Sequence, residues 1–437
     1  MSHRPRPAFL IILLIPVIAA AVVASFLLGK SMMDDDPSPT ATIETTPEPT
    51  TISNSASPET TDATPEPPPA QTSSGSLTDL MHYAPDRLSD GSLPLPEVAT
   101  YSDIDAWLAS QGMPSGSLTE AQAASLALPP ILSSRALDPI WEATYGFSLA
   151  EIDQVLAVGY APDYIMIFRG RFDPAVLTAA WTSAGYQAIA VDGTTVWSVY
   201  PFFTDTIELP QESSQLAMGS MNNLVLLEDG TLIASAKLPR IKDVLEVVRG
   251  DAPSMADNGD ISKLLELETP ERGFVSAVIA KGELLESAPT DTRSIVLPDV
   301  VTGHDAMTVA TPDAENMPQA KMCLFGLMLD RTTTTSATPE ATPEIAEPPQ
   351  LTIALVMTDD SMTEDATEVI ASRFNREISA STNQTYASYW TLSIEPQSES
   401  SDVLVLQIAP NQGTLDWINL IDNRDFGFLT WSDEVES

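Results

Sequence analysis

Hydrophobic and polar positions change period several times along this chain, and each change marks a different kind of segment. Residues 8–28 are apolar almost throughout, broken by Pro16 and Ser25. A run of about 20 such residues matches the hydrocarbon thickness of a bilayer and predicts a transmembrane helix. From 34 to 76 the apolar signal vanishes into Thr, Pro, Glu, Ser and Ala, with Thr-Pro-Glu at Thr46 and Thr64 and again at Thr338 and Thr342. Such composition has too little apolar surface to offset the entropy of ordering, and predicts a disordered, extended stalk.

Periodicity returns after residue 77. Residues 104–108 and 118–128 read as short helices in a Pro-punctuated lead-in that ends in Trp141, Tyr145 and Phe147. Two β-rich runs, 154–160 and 163–169, flank Ala-Pro and predict a hairpin. Asp173 then caps a helix with Pro174 at its first position, a stripe of Leu177, Ala180, Trp181 and Ala184, and Gly185 to end it. Asp192-Gly193 and Asp229-Gly230 each lie between alternating apolar runs, the strongest short-range hairpin signal. A helix from Pro239 presents Ile241, Val244, Leu245 and Val248 on one face, a third spans 261–267, and a strand follows at 274–280.

The C-terminal part repeats this grammar. Strands are expected at 322–329 and 351–357, then a helix from Ser361 with Ile370, Phe374 and Ile378 on one face, strands at 390–394 and 403–408, and a short helix from Leu415. The expectation is an α+β protein in which a duplicated unit, 151–290 and 291–437, forms antiparallel sheets with helices on one face. Its order along the chain is a tail and anchor at 1–30, a stalk at 31–76 and a helical lead-in at 77–150. On that alignment the Thr/Pro-rich residues 332–349 are a disordered insertion at a hairpin tip, which costs little stability.

Charge narrows the address and the partners. Arg4 and Arg6 precede the apolar run and Asp34, Asp35 and Asp36 follow it, so the positive-inside bias leaves the N-terminus cytoplasmic and the rest outside. Ala8, Phe9, Ile15, Val22 and Leu28 are then anchor residues in contact with the bilayer. The competing reading is secretion after cleavage ahead of Ser25, with Val22 and Ala24 as the small-residue signal. With 61 acidic against 20 basic residues, a net charge of −41 repels phosphate backbones and excludes nucleic acid as a partner. The single Cys323 excludes an intrachain disulfide and, in an apolar run, reads as a buried small hydrophobe.

Catalytic patterns are absent from the sequence. There are three histidines, His3, His82 and His304, too scattered for a multi-His metal site, and there is no nucleophile elbow, Walker loop or dinucleotide fingerprint. No cofactor is expected. Asp257 and Asp260, in Asp-Asn-Gly-Asp, carry oxygens suited to calcium but read first as a helix cap. His304-Asp305, Asp359-Asp360 and Glu212 are pairs or acids that chance supplies in so acidic a chain. Trp197, Tyr200, Phe202 and Phe203 run off a strand end and are the ligand-contact candidates, with core packing as the competing role. Met218, Met221, Met255, Met307, Met317 and Met322 cluster mid-chain, as core filler or an adaptable surface. The expectation is a membrane-anchored extracytoplasmic binding, surface or scaffold module, non-enzymatic ahead of enzymatic, with a protein or small-ligand partner. The alternatives are an envelope solute-binding or sensory domain, or a carboxylate-dependent hydrolase.

Overall fold

In the computed structural model the described residues are 75–89, 98–135, 138–159, 163–200, 219–285, 317–330, 349–358, 362–379, 381–396, 402–411, 417–422 and 425–429. All belong to the second of the two units into which the chain's contacts divide it, Pro69–Ser437. The anchor residues Ala8, Phe9, Ile15, Val22 and Leu28, residues 31–74 of the stalk, and 331–348 lie outside them. Among the described residues no helix is long and apolar enough to cross a membrane.

The strands are β1 (Val98–Asp103), β2 (Ile152–Val158), β3 (Ile165–Gly170), β4 (Gln187–Val191), β5 (Thr194–Ser198), β6 (Asn223–Leu226), β7 (Leu232–Ser235), β8 (Arg272–Lys281), β9 (Ala320–Asp330), β10 (Gln350–Met357), β11 (Trp390–Pro396) and β12 (Val403–Pro410). They form one antiparallel sheet in the order β11-β12-β10-β9-β8-β1-β2-β3-β7-β6-β5-β4. The helices are α1 (Leu77–Met81), α2 (Ile104–Ser110), α3 (Glu120–Ala123), α4 (Pro130–Arg135), α5 (Pro139–Tyr145), α6 (Pro174–Ser183), α7 (Leu238–Val248), α8 (Gly259–Leu265), α9 (Met362–Arg376), α10 (Tyr386–Tyr389) and α11 (Trp417–Asp422). The α+β class is therefore as expected.

The expected placement of helices on one face of separate sheets is corrected. One sheet runs through the fold, joined at its centre by β1 and β8, which pair from Val98↔Ala280 to Ser102↔Ser276. Thr100, Ser102 and Asp103 break the alternation of β1, and it is held as a strand by neighbours on both sides. Both faces are covered, because the central strands turn apolar side chains to both sides of the sheet and not to one side alone. Val155 and Ala157 of β2 join the cluster that includes Trp107, Trp141, Trp181, Phe374 and Trp417. Leu156 and Val158 join the opposite cluster with Leu77, Ile241, Val244 and Ile261. Thus α2, α5, α6, α9 and α11 lie on one face, and α1, α7 and α8 on the other.

Local rules explain most of the elements. Asp173 caps α6 by accepting from the Ala175 amide at 2.8 Å, and Pro174 fills the first turn. Trp181 buries its ring from α6 while its Nε1 donates to the Tyr145 carbonyl at 2.9 Å. Such burial contributes roughly 1.5–3 kcal/mol. The two Asp-Gly turns differ: Asp192 and Gly193 both have positive φ, at 49° and 87°, whereas at the second turn only Gly230 does. There Leu227 and Thr231 close a longer loop, and Asp229 accepts from the Thr231 amide at 2.9 Å. Two face assignments change. Val248 is 44% exposed at the end of α7, where Val247 is buried instead, and Ile378, beyond the end of α9, is 56% exposed.

Candidate functional site

At the start of β2 the pairing with β3 slips: Ile152 faces Gly170 and Gln154 faces Arg169, which leaves Asp153 as the extra residue of a β-bulge. A bulge re-aims the side chain it carries. Across the sheet, Asp103 ends β1 and caps α2 by accepting from the Ala106 amide at 2.9 Å, while its other oxygen accepts from Gln154 Nε2 at 2.8 Å. The cap brings Asp105, in the first turn of α2, against Asp153. Arg171, just past β3, completes the group with its Nε 3.2 Å from Asp153 Oδ1 and Nη2 donating to the Ala150 carbonyl at 2.6 Å.

Burial is the main cause that raises the Asp153 carboxyl, to about 6; the negative charge of Asp105 raises it further and Arg171 opposes both. Asp153 therefore holds its proton more firmly than an aspartate in water does. The group does not lie in the cleft described next.

That cleft, of about 440 Å³, is lined by His82, Val247, Gly250, Asp251, Pro253 and Asp257 among others. Asp257 is one of the two calcium candidates. Its carboxylate accepts from the Ser254 amide and hydroxyl, both at 2.8 Å, and these bonds with the nearby His82 hold it below the usual carboxylate range. Asp260 lies in the first turn of α8, which Asn258 caps. Asp251 receives Arg249 Nε at 2.9 Å. The local sequence thus makes caps and turns of these acids, and among the described residues no group of three or more His, Cys, Asp and Glu is placed to hold a metal.

The ligand-contact candidates divide. Trp197 packs its ring 5.9 Å from that of Trp181, and Trp197 and Tyr200 are half-buried against the core. Phe202 and Phe203 lie outside the described residues, as do His304, Asp305, Asp359, Asp360, Glu212, Met218 and Met307. Met221, Met255, Met317 and Met322 are buried. Cys323 is buried with its thiol pushed up to about 12 by desolvation.

Comparison with protein-family models, with curated proteins and with solved structures finds no match. The chemistry of the chain rests on its own residues.

Sequence reasoning missed the Asp105–Asp153–Arg171 group. Its one signal is Asp153 itself, an acid opening the otherwise apolar strand Ile-Asp-Gln-Val-Leu-Ala-Val. Also missed was Asp425, buried and accepting from the Ser379 hydroxyl at 2.6 Å, the Ser381 amide at 3.0 Å and the Tyr386 hydroxyl at 2.9 Å. Burial and that carboxylate hold the Tyr386 phenol well above its ordinary value.

Proposed function

We propose that the chain is a membrane-anchored extracytoplasmic protein whose folded part is a non-enzymatic binding or surface module. Residues 8–28 are the anchor, with Arg4 and Arg6 on the cytoplasmic side, and 31–76 the stalk that carries the fold clear of the bilayer. The observation that carries the non-enzymatic reading is where the buried charge goes. Lys237 and Arg240 meet Asp163, Lys263 meets Asp402, Arg373 meets Glu377, and Asp425 takes three hydroxyl and amide donors. Except for Arg373 and Glu377, which meet within one turn at the end of α9, these groups tie separate segments to one another, which leaves a surplus of carboxylates for the solvated surface.

The strand order also supports a duplicated origin for this module. In each half a hairpin (β2-β3, β9-β10) leads to a helix (α6, α9), and the last strand of the following meander (β7, β12) returns beside the hairpin's second strand. The bulge repeats as well. Asp153 is the extra residue at the start of β2, and Lys321, between Ala320 and Met322, is the extra residue at the start of β9.

Protease treatment of intact cells tests the topology. Loss of the folded part without lysis supports it, and protection from the protease refutes it. Release of the whole folded part into the medium with Ser25 as the new N-terminus refutes the uncleaved anchor.

A further inference from the structure

We infer that Asn383 is the attachment point of an N-linked glycan, an inference that rests on the extracytoplasmic reading above. Of the ten asparagines in the chain, only Asn383 is followed by the Asn-X-Ser/Thr pattern, as Asn383-Gln384-Thr385. That pattern is the acceptor for transfer of an oligosaccharide to the amide nitrogen.

The fold presents this site on a short, braced loop between α9 and α10. The Asn383 amide donates to the Ser379 carbonyl and the Ser379 amide to the Gln384 carbonyl, both at 2.9 Å. The base of the loop is pinned by Asp425 through Ser379 and Ser381. Asn383 stands at its tip with φ of 55°, a left-handed turn conformation that asparagine tolerates, and both Asn383 and Gln384 are exposed.

A second feature of the same loop points to what covers it. Ile378 forms an isolated bridge with Thr385, the third residue of the acceptor pattern, and leaves 56% of its surface to water. A sugar carried two residues away on Asn383 is within reach of that aliphatic side chain, and the C–H face of a pyranose is suited to lie on it.

The transfer needs a polyisoprenyl-pyrophosphate-linked glycan as co-reactant. Asn383 Nδ2 bonds to the anomeric carbon and the bond from that carbon to the pyrophosphate oxygen breaks. The pyrophosphate leaves with the electron pair, and the amide gives its proton to a base of the transferase. In the folded chain Thr385 Oγ1 lies 2.7 Å from Ser388 Oγ.

The test is mass spectrometry of the full chain taken from the membranes of the cells that make it. Trypsin cutting after Arg376 and Arg424 releases one peptide that holds the whole loop. The expected result is a glycan mass on that peptide, lost completely in Asn383→Gln and Thr385→Ala and kept in Thr385→Ser. A bare peptide from chains that protease removes from intact cells overturns the glycan and leaves the topology standing. A bare peptide from chains protected inside the cell overturns both.

Discussion

Replacing Asp153 with Asn is expected to change how the fold responds to pH more than how stable it is at any one pH. Folded, the Asp153 carboxyl titrates at about 6 against an ordinary 3.8, so the native chain holds the proton more tightly than the unfolded chain. A raised acid of this kind favours the fold while protonated; that advantage is lost as pH rises from about 4 to about 6. The gap between 3.8 and about 6, at 1.36 kcal/mol per pH unit, amounts to about 3 kcal/mol. Somewhat less than half of it falls between about pH 5 and pH 7.5, a range that stays above the isoelectric point of about 4.1. Urea titrations followed by tryptophan fluorescence, in wild type and Asp153→Asn at both ends of that range, give the difference, since the carboxyls outside the Asp105–Asp153–Arg171 group contribute alike to the two chains. The wild type is expected to lose about 1 kcal/mol relative to the variant on going to the higher pH. Equal pH slopes in the two chains, or a relative gain by the wild type, would refute the reasoning. Asp105→Asn, which removes the neighbouring negative charge, is expected to shrink the same slope.

Gly146 and Gly193 both have positive φ, at 79° and 87°. A Cβ on Gly146 would meet the Leu177 Cα at 2.9 Å, while one on Gly193 meets nothing within 4 Å. Gly146→Ala is therefore expected to cost about 2–3 kcal/mol and Gly193→Ala about 1 kcal/mol, read from denaturant midpoints; equal losses would sink the backbone-contact argument. Cys323, buried and with its thiol pushed up to about 12, is expected to resist a thiol reagent until the chain unfolds; rapid labelling of the native protein would show the strand to be open. A protease site placed between Arg331 and Pro349 is expected to give two fragments that elute together until denatured, because β9 and β10 pair from Met322↔Val356 to Met328↔Gln350; separation of a free C-terminal fragment would contradict that pairing.

The parts of the fold legible in the sequence are those set by local chemistry. The Asp173-Pro174 start of α6, the Asp192-Gly193 turn and the largely apolar strands β8, β9 and β10 all announce themselves in a few residues. What stayed hidden depends on residues far apart in the chain. β1 is a strand because β2 and β8 pair with it, and its own Thr, Ser and Asp conceal the fact. The covering of both faces follows from apolar runs whose period does not say how many helices they meet. The Asp105–Asp153–Arg171 group is set by a cap, a bulge and a strand end from three separate segments, and no spacing rule joins them. Asp257 and Asp260 show the reverse: their motif suggested a cation, and the local turn had already used Asp257 as a cap.

The central pairing of β1 with β8 bears on how the chain reaches its native state. Val98 finds Ala280 only after every strand from β2 to β7 has been synthesised, and long-range antiparallel closure of this kind is slow. Until β8 arrives, β1 has β2 on one side and a row of unsatisfied amides and carbonyls on the other, an open edge that invites pairing with another chain. The first half of the sheet is in this sense a nascent structure in waiting, and the rate at which β8 and β9 emerge sets how long that edge stays open to misassembly.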